Sequence, residues 1–316
     1  MRIAVLYTGA VRTIEHTIDT FRKHVLRNDD VHVFATLQSD TIPEHTEFLQ
    51  TKLGPHLRSL TWFHPSDPYW IHTRERLLDS FTIRNLDESY WKSYLRSSGS
   101  MIEYYQLYLS YLELVKAESR ESVTYDYIVR IRPDVILTKP LDFSWLHLSD
   151  EAIQSRLDRI QASQNPYIYL SLFMNSLLDE SRIDADFVSN EYALHTDDIQ
   201  LPTLVSPPSV WRNYISNGRY ILTLRNNVVY IVKRSLAGLI PSLGMMYGTF
   251  PIPDDNYWFN AENQFRMACV HSQISIFNST TRLEHDSLYS YDPTRYFDPD
   301  GTIRCGDCLF FLLRKG

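Results

Sequence analysis

The clearest chemical pattern in the chain is a charged segment that follows an apolar stretch, Arg-Ile-Arg-Pro-Asp at residues 130–134. Side chains two residues apart in a strand point the same way, so Arg130 and Arg132 can both face a phosphate or carboxylate at the sheet edge. Asp134 offers the oxygen ligands that a divalent cation prefers. The alternative is an internal salt bridge between Asp134 and either arginine, and the sequence leaves both interpretations open.

A second pattern, Thr-Gly-Ala-Val-Arg-Thr at residues 8–13, lies between a predicted strand and a predicted helix. The first turn of a helix offers free backbone N–H groups and the positive end of the helix dipole, which suit an anion. Thr8 and Gly9 belong to that turn, and Arg12 adds a planar set of donors. The alternative is a plain turn in which Gly9 serves local geometry. A single glycine does not make the Gly-x-Gly-x-x-Gly fingerprint, so a dinucleotide-dependent dehydrogenase is disfavoured.

Acidic, amide and aromatic side chains are concentrated at residues 253–265, just before and within the start of a predicted helix. Trp258 can supply a flat face for a sugar ring or a nucleotide base. Glu262 can accept a proton from an attacking hydroxyl group as a general base, or it can be a carboxylate that only stabilises the helix start. Asp255 is a second candidate for the base or for a metal ligand.

Two asparagines, Asn226 and Asn227, interrupt an apolar stretch at residues 220–232. Their side chains donate and accept hydrogen bonds together, which suits a ligand rich in hydroxyl groups. An Asn-Asn turn between two strands is an equally good interpretation.

These residues need a scaffold, and the pattern along the first quarter of the chain predicts one. Apolar runs at residues 2–7, 31–37 and 59–63 predict strands, and the segments between them predict helices, the first capped by Thr13. Strands that alternate with helices imply a mostly parallel sheet with both faces covered. Proline lacks the amide proton that a central strand needs, so the strand before Pro133 should end near Arg132, at the carboxyl edge of the sheet where such folds bind ligands.

The rest of the chain is less regular. The capping-box spacing of Ser100 and Glu103 predicts the start of a long helix, and residues 167–173 read as a strand. Further helices are predicted at residues 150–160 and 261–271, and another is predicted to follow Pro207 and Pro208 and to end at Gly218. We expect a catalytic domain over residues 1–280, with residues 281–316 as a C-terminal extension packed on it.

Composition narrows the classes of function. The chain has 316 residues, of which 44% are hydrophobic and 22% charged, as in ordinary globular proteins. A net charge of −7 argues against a nucleic-acid binder, which normally carries a basic excess. Only 10 glycines are present, so a bound phosphate should be held by side chains or a metal rather than by a glycine-rich loop.

Cysteine content and apolar runs bear on the cellular compartment. Three cysteines cannot build a disulfide framework. No apolar run reaches the length of a transmembrane helix, and no secretory signal precedes the first predicted strand. We therefore expect a cytoplasmic protein without a transmembrane segment, in the host cytoplasm if a virus encodes it. The oligomeric state is not predicted.

Four stretches together resemble a family. The stretches at residues 3–13, 100–137, 225–234 and 258–265 are similar to GT-A-type glycosyltransferases that use nucleotide-sugars, of the group found in bacterial surface-polysaccharide clusters and in large DNA viruses. Tyr-Asp-Tyr-Ile-Val-Arg-Ile-Arg-Pro-Asp, at residues 125–134, is the most specific of them. The resemblance implies an α/β fold: a GT-A-like (Rossmann-like), mostly parallel central sheet with helices on both faces and a C-terminal elaboration.

The resemblance also implies roles for the residues above. Asp134 would bind Mn²⁺ or Mg²⁺, although Arg132 stands where the common Asp-x-Asp pattern has its first aspartate. The donor would be held by the turn at residues 8–13, by the arginines of residues 130–134, by the asparagine pair and by Trp258. Glu262 or Asp255 would be the base.

The expected activity is transfer of a hexose, deoxyhexose or pentose from a nucleotide diphosphate-sugar to a glycan or another hydroxyl acceptor. Two alternatives remain: a non-catalytic carbohydrate-binding protein on a transferase fold, and another nucleotide-dependent α/β transferase.

Overall fold

A computed structural model describes residues 1–27, 30–80, 87–187, 201–246, 261–287, 289–304 and 307–314. Asp255 and Trp258 lie outside these residues. No helix in the described ranges is long and apolar enough to cross a membrane.

The described residues build a mixed α/β, Rossmann-like structure around a seven-stranded central sheet. Its strands are β1 (Ile3–Ala10), β2 (Val31–Gln38), β3 (Leu57–Trp62), β4 (Tyr127–Ile131), β6 (Tyr220–Arg225), β7 (Val229–Lys233) and β8 (Ser275–Asn278). Their spatial order is β3-β2-β1-β4-β7-β6-β8. Of these described strands only β7 is antiparallel to its neighbours, β4 and β6. The predicted fold class, a mostly parallel sheet, is confirmed.

A smaller sheet lies beside the central one and joins the end of the chain to its middle. It contains β5 (Val135–Leu137), β9 (Tyr289–Ser290) and β10 (Phe310–Leu313), with β10 between the other two. Strand β5 follows β4 after a turn at residues 132–134, so the C-terminal strand is carried next to the end of β4. The proposed domain boundary at residue 280 stays a prediction.

Helices cover both faces of the central sheet. In chain order they are α1 (Ile14–His24), α2 (Ile42–Leu53), α3 (Pro68–Asp79), α4 (Glu88–Ser97), α5 (Gly99–Glu121), α6 (Asp150–Ala162), α7 (Tyr169–Ser176), α8 (Pro208–Asn217), α9 (Leu239–Met246), α10 (Ala261–His271) and α11 (Arg282–Ser287).

Two apolar cores result from the alternation of side chains along the strands. On one face, which we call the α5 face, Leu6 and Phe34 pack with side chains of α3, α4, α5, α9 and α10. On the other, Val5 and Val33 pack with side chains of α1, α2, α6, α7 and α8. The long helix α5 is fixed to the sheet by Ser110, whose buried hydroxyl donates to the Phe34 carbonyl.

Three local expectations are wrong. Helix α5 is capped by Ser98, which accepts from the Ser100 amide, so Glu103 is not part of a capping box. Thr13 makes no side-chain cap on α1, because its hydroxyl donates to the carbonyl of Leu313.

The third error is the strand expected at residues 167–173, most of which belongs to helix α7. A short apolar run does not distinguish the two states, and packing decides. Leu170, Phe173 and Met174 have helical spacing and are buried, and the Phe173 ring lies 4.1 Å from that of Trp211 between centroids.

Candidate functional site

The carboxyl ends of six described strands meet at one edge of the central sheet, here called the carboxyl edge. From β1 the chain first builds outward to β2 and β3, and then returns to add β4 on the opposite side of β1. The gap between the loops that follow β1 and β4 is therefore a topological switch point, where open α/β sheets bind ligands. Both of the strongest sequence patterns end at this point.

The segments at residues 8–13 and 130–134 come into close contact at Gly9 and Pro133. Gly9 has φ +140, and a Cβ atom on it would lie 3.0 Å from Cδ of Pro133. Glycine is thus required both by backbone conformation and by space. Gly9 therefore serves the local backbone conformation, as the alternative interpretation expects. This conformation lets the loop after β1 pack against the loop after β4.

Four charged side chains at this point form what we call the charge cluster: Glu103, Arg130, Arg132 and Asp134. Arg132 donates from Nε and Nη2 to the two carboxylate oxygens of Asp134, at 2.9 and 2.6 Å. Arg130 donates from Nη2 to Oε1 of Glu103, and Nη1 of Arg132 lies 3.5 Å from Oε2 of the same carboxylate. The internal salt bridge that the sequence left open is therefore present between Arg132 and Asp134.

The two arginines differ in burial. The Arg130 side chain has no exposed surface, whereas that of Arg132 is 21% exposed. Burial lowers the pKa of Arg130, and the Glu103 carboxylate opposes that shift. Desolvation also lowers the pKa of Arg132, but Glu103 and Asp134 outweigh it and hold that pKa above its ordinary value. Both guanidinium groups are cations at neutral pH, and only Arg132 can meet a ligand without rearrangement of the core.

Hydrogen bonds hold the backbone around Asp134 at two carbonyl groups, those of Pro133 and of Asp134 itself. The Thr17 hydroxyl donates to the Pro133 carbonyl, and the Leu313 amide donates to the Asp134 carbonyl at 2.9 Å. Asp134 is therefore fixed by α1 and by β10, while the Arg132 side chain is the longer and more adaptable partner.

The asparagine pair also reaches the carboxyl edge. Residues 226–228 form the turn between β6 and β7, in which Asn227 has φ 62, so the turn interpretation is confirmed. The turn is tied to the charge cluster because Nη1 of Arg130 donates to the Val228 carbonyl at 2.6 Å. The side-chain oxygens of Asn226 and Asn227 are buried and have no hydrogen-bond partner within the described residues.

Further buried polar atoms without a partner lie near the same edge. Thr8 and Thr36 stand side by side on β1 and β2, and both hydroxyl groups are unpaired within the described part of the chain. Nε of Arg130 and the hydroxyl of Tyr230, its neighbour on β7, are also buried without a hydrogen-bond partner within the described residues. All four side chains project to the α5 face. Native structures leave few such groups unpaired, so their concentration here marks a place where a polar ligand can bind.

The remaining predicted residues are placed as follows. Arg12 is exposed just before α1. Glu262 is half-buried in the first turn of α10, and the preceding Ala261 carbonyl accepts from the Tyr104 hydroxyl at 2.6 Å. This contact packs the start of α10 on α5, the helix that also carries Glu103. The predicted roles of Asp255 and Trp258 concern residues outside the described ranges.

A divalent cation finds few free ligands here. Both carboxylate oxygens of Asp134 accept from Arg132, and Glu103 faces two guanidinium groups. The described residues bring no three His, Cys, Asp or Glu side chains together as a metal site requires. This part of the chain does not fit a resident Mn²⁺ or Mg²⁺, and the metal-binding role of Asp134 stays a prediction.

A groove of about 340 Å³ opens on the α5 face between α3, α5 and α9. Aromatic side chains form much of its wall: Tyr69, Trp70, Tyr105 and Tyr108. Arg74 and Arg76 supply donors, and Tyr69 is 70% exposed. Met101 and Tyr105 line this groove from α5, the helix that also carries Glu103.

Sequence reasoning missed two contributions to the site. The sequence predicts Glu103 at a helix start, and only the packing of α5 on the sheet brings it to the arginines. The sequence predicts the C-terminal segment as an elaboration, yet the Leu313 amide donates to the Asp134 carbonyl, and Arg314 lies over the ring of Tyr289, 4.6 Å from its centroid. The only signal in the sequence is the short apolar run at residues 309–313.

No family model and no curated protein matches the chain. Among solved structures, it is similar to the apo structure of WbbM, a bifunctional glycosyltransferase, with 11% sequence identity and a TM-score of 0.33. The likeness covers 92% of this chain and 40% of that one, so the chain spans less than half the length of the protein it matches. The activity must therefore be argued from the site itself.

Proposed function

We propose that the protein is a glycosyltransferase that moves a hexose, deoxyhexose or pentose from a nucleotide diphosphate-sugar to a hydroxyl group of a glycan acceptor. The observation that carries the proposal is the partly exposed guanidinium fork of Arg132 at the switch point, at the same sheet edge as several buried polar atoms that have no partner within the described residues. Arginine binds phosphate through two parallel hydrogen bonds, so this is a suitable place for a leaving diphosphate.

The donor would lie along the carboxyl edge. Arg12 offers an exposed cation beside the start of α1, and Thr8 and Gly9 belong to the same turn, which suits the nucleotide and its phosphates. Asn226 and Asn227 offer to hydroxyl groups amide oxygens that have no partner within the described residues. Arg130 is fully buried, so its role is to hold the turn after β6.

The acceptor would approach from the α5 face. Glu262 at the start of α10 is the proposed base, with Asp255 as the alternative. The groove beside α5 presents aromatic faces and arginine donors, a combination that suits a sugar ring. We expect Tyr69→Ala to raise the KM for the acceptor and to leave donor affinity unchanged.

The reaction is displacement at the anomeric carbon through an oxocarbenium-like state. The acceptor oxygen forms a bond to that carbon, the bond to the diphosphate oxygen breaks, and the acceptor proton passes to the base. Negative charge develops on the leaving diphosphate, where the Arg132 guanidinium stabilises it.

Calorimetry with a panel of nucleotide-sugars tests the proposal, followed by chromatographic detection of released nucleoside diphosphate. Binding with release is the expected result, and Glu262→Gln should lower kcat far more than donor affinity. Absence of heat with every nucleotide-sugar would overturn the proposal. Binding without turnover of any acceptor would instead favour a carbohydrate-binding protein.

A further inference from the structure

One feature of the site is not explained by the proposed roles: the charges of Arg132 and Asp134 neutralise each other in an ion pair. Arg132 uses its Nε–Nη2 edge on Asp134, which is the edge that would grip a phosphate. The charge cluster contains two cations and two anions and is therefore neutral as it stands. Nothing in the expected roles of Asp134 and Arg132 requires them to be paired.

We infer that Arg132 is an exchangeable clamp: a diphosphate displaces the Asp134 carboxylate from the guanidinium fork and is held there without a divalent cation. The inference rests on the proposed function for the identity of the anion as the donor's diphosphate. Carboxylate and phosphate present the same pair of acceptor oxygens to arginine, so the exchange replaces two charge-assisted hydrogen bonds with two others.

The contacts around the pair indicate which partner moves. Asp134 is fixed through the backbone, by Leu313 on its own carbonyl and by Thr17 on the preceding one. Arg132 has a long side chain, and its second contact, to Glu103, is long at 3.5 Å. Rotation of the Arg132 side chain therefore breaks the Asp134 pair and this long contact, while Arg130 stays bonded to Glu103 and to the Val228 carbonyl.

The exchange leaves Asp134 as an unpaired anion beside a bound diphosphate. In the native protein Asp134 thus competes with the ligand and also repels it. Removal of its charge should strengthen anion binding, which is the opposite of what removal of a metal ligand should do. The two interpretations of Asp134 can therefore be separated by the sign of one effect.

The test uses inorganic pyrophosphate in the presence of EDTA, so that it needs neither the correct sugar nor an acceptor. The native chain should bind pyrophosphate, and Asp134→Asn should bind it at least tenfold more tightly, because a charge-assisted pair no longer has to be broken. Arg132→Gln should weaken binding at least tenfold. Asp184→Asn, which alters an exposed pair with Arg159, should change nothing.

Three results would overturn the inference: no binding of pyrophosphate, no gain from Asp134→Asn, or binding that appears only with Mg²⁺ and is lost in Asp134→Asn. The last result would restore Asp134 as a metal ligand. Circular dichroism and thermal unfolding of each variant distinguish loss of the site from loss of the fold. If pyrophosphate exchange occurs but no nucleotide-sugar is turned over, the clamp stands and the proposed transferase activity fails.

Discussion

Replacement of Glu103 by glutamine should destabilise the protein strongly, because it leaves the Arg130 guanidinium without its counter-charge. Arg130 has no exposed surface, and within the described residues its other hydrogen bond goes to the Val228 carbonyl. Removal of one partner from a buried ion pair costs about 3–5 kcal/mol. At 316 residues, a loss of about 4 kcal/mol lowers the Tm by about 6 °C.

Helix α5 provides a matched control. Glu118, near its other end, accepts from Nε and Nη2 of Arg234, whose side chain is 23% exposed. Water can reach the Arg234 guanidinium, so Glu118→Gln should cost less, about 1–3 kcal/mol. A third variant, Glu103→Gln with Arg130→Met, removes the buried charge itself and should recover most of the lost stability.

The assay is urea unfolding followed by tryptophan fluorescence and circular dichroism at neutral pH, with thermal unfolding as a second measure. The reasoning is refuted if Glu103→Gln and Glu118→Gln cost the same, or if the double variant is no more stable than Glu103→Gln alone. Either outcome would mean that burial of Arg130 does not make it depend on Glu103.

Three other predictions concern backbone, pH and thiol reactivity. Gly9→Ala should lower the free energy of unfolding by about 1–3 kcal/mol, because φ is +140 and the new Cβ meets Pro133. Gly238→Ala, which has open space around it, should leave the free energy of unfolding nearly unchanged, and urea unfolding measures both variants. Burial lowers the pKa of Lys233 to about 8, so the native state loses this proton before the unfolded state does. Between about pH 8 and pH 10 the unfolding free energy of the native chain should therefore rise relative to that of Lys233→Met, which keeps the other titrating groups; urea unfolding at each pH measures the difference. Burial raises the pKa of the Cys269 thiol, so mass spectrometry after treatment with a thiol reagent should find it unmodified until urea unfolds the chain, and rapid labelling would contradict its burial.

The sequence determined most of the scaffold that brings the site together. Period-two and period-3.6 patterns are local, and they were sufficient for the first three strands, the helix at Ile42–Leu53 and the end of β4 before Pro133. The proline was decisive, because a missing amide proton forbids continuation of a central strand whatever surrounds it. The placement of residues 8–13 and 130–134 at a carboxyl edge follows from the same local rules.

Local rules failed where two states have similar local energies. Residues 169–176 are apolar enough for a strand or a helix, and contact with Trp211 favours the helix. Ser98 and Ser100 can both cap a helix, and the sequence spacing favoured the wrong one. These choices depend on neighbours that are distant in the chain.

Only the tertiary structure decided which charges pair. The sequence left open whether Arg132 faces a ligand or Asp134, and it assigned Glu103 to a helix cap. Packing of α5 on the sheet makes Glu103 the partner of Arg130, and the turn at residues 132–134 closes the Arg132–Asp134 pair. The physical reason is that ion pairs depend on distances of a few ångströms between side chains, and such distances between separate elements are set by the packing of the whole core and not by local sequence.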